Sequence, residues 1–319
     1  MKPTKARIVF LGTPEFAVKV LLAVINSGHE VIAVVTTPDK PTGRGQKQMP
    51  SAVKVTAIDF NIPVLQPEKL KDPGFIRVLD SLGADIFVVV AFRMLPIEVW
   101  SLPKKGCFNV HASLLPNYRG AAPIQWAIWN GETITGNTTF LLNNEIDAGA
   151  ILLQDGCAIE QDDNFGSLYE KLSINGAELA VRTIDGLMDD SLYPVLQNVN
   201  NNTKSAPKIF PEMTYLNPHK KAIEIHNQIR ALSPKPGAKL SIISPTGEEL
   251  ELKIFKSKLA YDITGDPGSL ILDKSRLYLA AEDHSIELIQ LQLPAKKAMD
   301  SKALINGYPR ITAFQYFKK

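Results

Sequence analysis

Along the first 190 positions, apolar residues follow two rhythms that take turns. "RIVFLG" (7–12), "HEVIAVVTT" (29–37) and "ADIFVVVAF" (84–92) are short, nearly unbroken apolar runs rich in β-branched residues. That is the pattern of strands buried on both faces of a parallel sheet. "GCFNVH" (106–111) and "NTTFLL" (137–142) read as further strands. Between the runs, Ala17, Val20, Leu21 and Val24 recur at three- and four-residue spacing, which is one face of a helix. "SAVKVTAIDF" (51–60) and "APIQWAIWNG" (122–131) also read as helices, as does a long stretch near 165–190 carrying Leu168, Leu172, Val181, Ile184 and Leu187. Strands alternating with helices predict a doubly wound, mostly parallel sheet of Rossmann-like type, covered on both faces.

The rhythm then breaks. Residues 196–221 are polar, Asn-rich and Pro-punctuated, as an interdomain linker is. Ala222, Ile225, Ile229 and Leu232 mark one more amphipathic helix, and after it come "AKLSII", "ELELKIFKSKL", "GSLIL", "RLYLAA" and "SIELIQLQL". Regular short strands with turn residues between them predict a small β-barrel, OB-like in size. The expected organisation is a sheet domain over 1–195, a linker over 196–217 and a barrel domain over 218–319; a length of 319 residues suits two domains.

Composition adds constraints. The chain is 45% hydrophobic and 21% charged, ordinary for a globular protein. Two cysteines make no disulfide framework and point to a reducing compartment. The apolar run near the amino terminus is too short for a signal peptide, and no run approaches a membrane span. A cytoplasmic protein without a membrane partner is expected, and nothing in the pattern argues for more than a monomer. Net charge is +2, unevenly spread: residues 206–319 hold 17 basic and 12 acidic residues (+5), and the remainder holds 18 and 21 (−3). The basic tail suits either an anionic partner such as RNA or a solvated, lysine-rich surface. A basic helix face formed by His219, Lys220, Lys221, His226 and Arg230 has the same two readings, and Trp126 and Trp129 read as packing. The first strand-to-helix turn, "GTPEF" (12–16), has only one glycine of the dinucleotide fingerprint, which argues against NAD or FAD.

Candidate chemistry gathers at one strand end. Asn109 and His111 close the run 106–111, at the carboxyl edge where such sheets bind ligands, and their i, i+2 spacing projects both to one side. Asp147 lies in the loop between "NTTFLL" and "AILLQ", where a neighbouring strand would carry it to the same rim. Singly, each has an ordinary reading as a turn former or a satisfied polar residue. Together they offer an amide donor for a developing oxyanion, a proton carrier, and a carboxylate to fix that carrier's charge or tautomer. Those are parts for acyl transfer. No G-x-S-x-G elbow is present, so the nucleophile is expected on the substrate. Cys107 and His111 lack a second ligand pair, so no metal is expected.

"NVHASLLPNYRGAAPIQWAIWNGE" (109–132), with "EIDAGAILLQ" (145–154) downstream, resembles the folate-dependent formyltransferases, whose signature is N-x-H-x-S-L-L-P followed by a distant D-x-G. The stretches 10–57 and 293–308 are similar to the tRNA-directed branch of that family, and the likeness runs over essentially the whole chain. The resemblance implies a formyltransferase-type sheet, 10-formyltetrahydrofolate as the formyl-donating cosubstrate, and the α-amino group of methionine on initiator methionyl-tRNA as acceptor. It implies Asn109, His111 and Asp147 as the catalytic trio. It places Ser113, Leu114, Leu115 and Pro116 at the folate site, together with Phe92, Arg93, Met94 and Leu95. It assigns Lys40, Arg44 and Lys47, in the insertion "PDKPTGRGQKQMP" (38–50), to the tRNA acceptor arm. Ala112 stands where the family usually has glycine, which matters if that position needs positive φ. Two rival readings are a formyltransferase for a small amine and a catalytically silent folate- or RNA-binding protein. The basic insertion and barrel-like tail count against the first, and the complete trio against the second.

Overall fold

The continuous apolar runs of the first half assemble into one seven-stranded sheet in the computed structural model of the chain, which describes residues 5–42 and 47–318. Its elements begin with β1 (Arg7–Gly12), α1 (Glu15–Asn26), β2 (Glu30–Val35), a separate hairpin of β3 (Lys40–Thr42) and β4 (Lys47–Met49), α2 (Ala52–Asp59) and β5 (Val64–Leu65). They continue through α3 (Pro73–Ser81), β6 (Ile86–Val90), α4 (Ile97–Trp100), β7 (Cys107–His111), α5 (Pro123–Trp129), β8 (Ile134–Leu141), β9 (Ile151–Ala158) and α6 (Phe165–Met188). Spatial order is β5-β2-β1-β6-β7-β8-β9. Pairings are parallel from β5 to β7, and β8 and β9 add an antiparallel edge. The chain leaves β1 first toward β2 and then toward β6, so the topological switch lies between β1 and β6, where ligands bind beyond the strand ends.

Both faces are covered, which is why the strands read as unbroken apolar runs. Val9, Leu11, Ala33, Val35, Phe87, Val89 and Cys107 share a cluster with Leu79 of α3 and Val99 of α4. The alternate positions Ile8, Phe10, Val34, Ile86 and Val88 are equally buried and turn to the other face. The helical face read from spacing is the buried one: Ala17, Val20, Leu21 and Val24 of α1. Helix α3 turns Phe75, Ile76 and Leu79 to the same cluster as the strands, and Asp72 caps it by accepting from the Phe75 N–H at 2.9 Å, with Pro73 in its first turn.

The second half forms an antiparallel barrel. Helix α7 (Ala222–Leu232) precedes β10 (Ala238–Ile243), β11 (Glu249–Ala260), β12 (Leu270–Asp273), β13 (Arg276–Ala280) and β14 (Ser285–Gln292), and α8 (Ser301–Gly307) follows. Strand order is β12-β13-β14-β11-β10, then Gln315–Tyr316, and a bridge from Gln315 back to Ser269 nearly closes the ring. Ile225, Ile229 and Leu232 of α7 pack with Leu240, Ile254, Leu279 and Leu288 from inside the strands. Arg230 is not a free basic face: its guanidinium donates to the carbonyls of Glu160 and Asp163 and to Asn227 Oδ1. Trp126 and Trp129 stack 5.2 Å apart, and Trp129 packs against the barrel core.

The two compact units are not simple halves of the chain. One comprises Met1–Pro123, Ile134–Ala158 and Tyr169–Ala206, and the other Ile124–Thr133, Ile159–Leu168 and Pro207–Lys319. The stretch 196–217 divides between them: through Ala206 it groups with the sheet, and from Pro207 with the barrel. No helix among the described residues is long and apolar enough to cross a membrane, and no metal-binding group of three or more His, Cys, Asp or Glu occurs among them.

Candidate active site

Strand β7 ends at the sheet's carboxyl rim between β6 and β8, with Asn109 opposite Phe140 and His111 opposite Thr138 of β8. His111 is buried and stands edge-on to the Phe140 ring, 6.4 Å between centroids. Its Nε2 lies 2.9 Å from the Tyr118 carbonyl, which can only accept, so Nε2 carries a hydrogen. Nδ1 is left facing the Asp147 carboxylate at 3.8 Å. That separation is too long for a direct hydrogen bond. Asn109 is half-buried two residues back on the same side of the strand, and among the described residues its carboxamide has no partner. The rim thus brings together all three residues that the sequence pattern singles out.

Asp147 reaches this place by unusual backbone. Its φ is +51°, in the left-handed region, and its Oδ2 accepts from the Gly120 N–H at 2.8 Å. Gly149 completes the turn at a point where a Cβ would sit 1.6 Å from the Leu141 carbonyl oxygen, so only glycine fits. Gly120 has φ +125°, and a Cβ there would meet the Ala206 carbonyl at 2.4 Å. The two motif glycines are thus fixed by close backbone approach. Ala112, by contrast, is not among the positive-φ residues and is buried, so the methyl group that replaces glycine is accommodated.

The loop after β7 is held from within. Ser113 Oγ donates to the Asn117 carbonyl at 2.6 Å, and Thr138 Oγ1 donates to the Ser113 carbonyl while accepting from the Leu115 N–H. Gln154 Nε2 donates to both the Leu115 carbonyl and Thr138 Oγ1. Ser113 and Leu115 are buried, and Leu114 and Pro116 are half-buried, so this motif shapes the rim more than it presents side chains. On β6's side, Met94 is exposed, Leu95 is buried, and Phe92 and Arg93 are half-buried. The Arg93 guanidinium lies 5.6 Å from the Phe92 ring and donates to the Pro67 and Glu68 carbonyls. Among the described residues Phe92, Arg93 and Met94 donate no backbone hydrogen bond to another peptide. Two buried polar atoms in the segments after β1 and β6, Thr13 Oγ1 and Arg93 Nε, also lack partners. Free peptide groups and the orphaned Arg93 Nε, with the guanidinium 5.6 Å from the Phe92 ring, fit a flat, heteroatom-rich ligand such as a pterin.

Of the residues assigned to tRNA, Lys40 is exposed at the base of the β3–β4 hairpin and pairs with Met49, and Lys47 pairs with Thr42. Arg44 lies outside the described residues. The pattern shows no hairpin there because KPT and KQM have no apolar alternation. Sequence reasoning also misses Thr138, Gln154 and Gln197. Each binds the site through main-chain carbonyls, and such contacts leave no mark on hydropathy.

Comparisons with known proteins show the family to which the chain belongs. A profile described as formyl transferase matches residues 6–184, and one described as formyl transferase, C-terminal domain, matches residues 208–309. A relative from Bacteroides thetaiotaomicron named methionyl-tRNA formyltransferase is 43% identical, over 97% of either chain. One of the same name from Flavobacterium johnsoniae is 45% identical, over 95% of this chain and 96% of that one. In fold, the chain resembles WlaRD, a sugar 3N-formyl transferase crystallised with dTDP and 5-N-formyl-THF: TM-score 0.66, 24% identity, covering 92% of this chain and 100% of that one. HypX from Aquifex aeolicus, in complex with tetrahydrofolic acid, aligns with TM-score 0.65 and 16% identity over 97% of this chain and 48% of that one.

Proposed function

The chain belongs to the methionyl-tRNA formyltransferase family, and on that premise we propose that the β7 rim is its catalytic centre. It transfers a formyl group from 10-formyltetrahydrofolate to the free α-amino group of methionine on initiator methionyl-tRNA, in support of translation initiation. The observation that carries the assignment is the His111–Asp147 pair, 3.8 Å apart, on the same rim as Asn109.

When bound, the donor supplies an activated carbonyl carbon and an amine leaving group. Asn109 donates an N–H to the carbonyl oxygen as negative charge develops there. His111 is anchored through Nε2 to Tyr118, so Nδ1 is the nitrogen that works on the reacting atoms. Asp147 stabilises positive charge on that ring, and a water beside the pair, hydrogen-bonded to both, passes the attacking amine's proton to the departing amine nitrogen as its bond to the formyl carbon breaks. No covalent link to the protein is required. Phe92, Arg93, Met94 and Leu95, with Ser113, Leu114, Leu115 and Pro116, form the folate side, the first set through peptide groups and the second as the loop's frame.

Lys40, Arg44 and Lys47 of the insertion contact the acceptor arm, and the basic barrel domain supplies further phosphate contacts. The cytoplasm is the site of action and the working unit is a monomer.

The test is a formyl-transfer assay with charged initiator tRNA beside uncharged tRNA and free methionine; only the first is formylated. Asn109→Ala and His111→Ala each lower turnover roughly 10²–10³-fold, about 3–4 kcal/mol of lost oxyanion stabilisation. Retention of more than about a tenth of turnover by both variants would remove the assignment. Arg44→Ala weakens use of the tRNA and spares donor binding; equal loss of both would point to misfolding instead.

A further inference from the structure

Residues 193–206 form a strap along the site, and one side chain in it ties two catalytic loops together. Val195 pairs with Ile151 through two backbone hydrogen bonds of 2.7 and 2.8 Å. Further on, the Lys204 carbonyl accepts from the Tyr118 N–H, and Ala206 exchanges bonds with Arg119 and Ala122. Between these anchors the run 195–200 is exposed except for Gln197, which is half-buried. Its Nε2 donates to the carbonyls of Asp147 (2.9 Å) and Gly149 (2.8 Å). Its Oε1 accepts from Arg119 Nε (3.0 Å) and Nη2 (2.7 Å).

The chemistry admits one orientation of this amide. A guanidinium has only donors and must face Oε1, and the two carbonyls only accept and must face Nε2. Arg119 directly follows Tyr118, whose carbonyl anchors His111, and Asp147 is the carboxylate facing the same ring. One amide therefore spans the loop that holds the imidazole and the loop that holds its counter-ion. Asp147 also sits at positive φ, which a non-glycine residue keeps only where its surroundings over-determine it.

We infer that Gln197, oriented by Arg119, is a positioning residue for the formyl-transfer reaction, holding the Asp147 carboxylate in register with His111. The inference rests on the catalytic reading of Asp147 given above.

The test compares Gln197→Ala and Gln197→Glu with the intact enzyme, using 10-formyltetrahydrofolate and charged initiator tRNA. The Glu variant keeps the Arg119 partner and the side-chain shape, but it turns a carboxylate oxygen toward two carbonyls. Both variants should lose about 10²-fold in kcat, the cost typical of a displacement near 1 Å at a reacting centre. The donor's dissociation constant should stay within about twofold, since misplacement of a catalytic group falls on the reacting geometry and not on uniform binding. In an Asp147→Asn background the Gln197→Ala loss should largely vanish, because both changes act through one carboxylate. Turnover above about a third of the intact enzyme's in either Gln197 variant, or losses that multiply fully in the double variant, would overturn the inference. A near-normal Asp147→Asn enzyme would instead overturn the catalytic assignment beneath it, so the two failures are distinguishable. Should the Ala variant not fold, the Glu variant is read by the same criteria.

Discussion

Gly149 and Asp147 mark how far single residues decide this site. The D-x-G pattern looks like a turn, and as a turn its glycine has many substitutes. The structure gives it a stricter reason, since a Cβ at position 149 would lie 1.6 Å from the Leu141 carbonyl. Gly149→Ala must therefore move the loop that carries Asp147 away from β8. The expected result is a lower unfolding midpoint together with at least about 10²-fold less turnover, because the carboxylate leaves its register with His111. Thermal unfolding and single-turnover rates check both, and a variant as stable and fast as the parent would mean that β8 yields at no cost. At this scale Asn109, His111 and Asp147 are visible in the pattern because polar residues at strand ends stand out against apolar runs, and the structure sets His111 and Asp147 3.8 Å apart. The pattern is silent on Gln197, an ordinary glutamine in a polar stretch whose partners are main-chain carbonyls 48 and 50 residues away.

Elements are legible in proportion to how much apolar surface they bury. Helix α1, helix α7 and strands β1, β6 and β7 lie within a few residues of their expected bounds, since one side or both sides of each are interior. Strand β5 is two residues long, and the β3–β4 hairpin buries no apolar stripe, so neither announces itself. The strap reads as linker because its composition is a linker's, while its backbone hydrogen bonds and those of the Gln197 side chain tie it to the sheet unit. Helix α7 carries a second consequence of burial. Desolvation, helped by the charge of Arg230 and opposed by Asp162, pushes the His226 imidazole down to about 4, with its Nδ1 2.9 Å from Ser257 Oγ. In the unfolded chain the same group titrates near its ordinary 6.5. As pH falls through that window the unfolded state binds a proton that the folded state refuses, so stability declines below about 6.5 and the loss is complete near 4. The full effect is roughly 3 kcal/mol. His226→Gln should flatten the acid limb of the unfolding midpoint against pH, and an unchanged slope would show that other groups govern it.

At the scale of the molecule, charge separates the two substrates. Residues 206–319 carry a net +5 and the rest of the chain −3, so the field that meets a polyanion is concentrated in the part with the barrel. The donor's site, on the reading above, is built from peptide groups, orphaned polar atoms and apolar side chains around the sheet rim, with little free positive charge. Each tRNA phosphate neutralised by a lysine or arginine releases a condensed counterion, and the affinity then falls as a power of salt concentration. About four such contacts would weaken tRNA binding roughly 10²-fold between 50 and 200 mM salt. Donor binding over the same range should change little, because it releases few ions. Filter binding for the tRNA and fluorescence titration for the donor would give the two slopes on one preparation. Parallel slopes would mean that the donor is held by charge as well, and a flat tRNA slope would remove the basic domain from acceptor recognition. Replacing Lys253, Lys256 and Lys258 of β11 by glutamine separates these cases further. If the barrel strand meets phosphate, the tRNA slope falls by up to about three while turnover at saturating tRNA persists, since each lost contact removes one released ion.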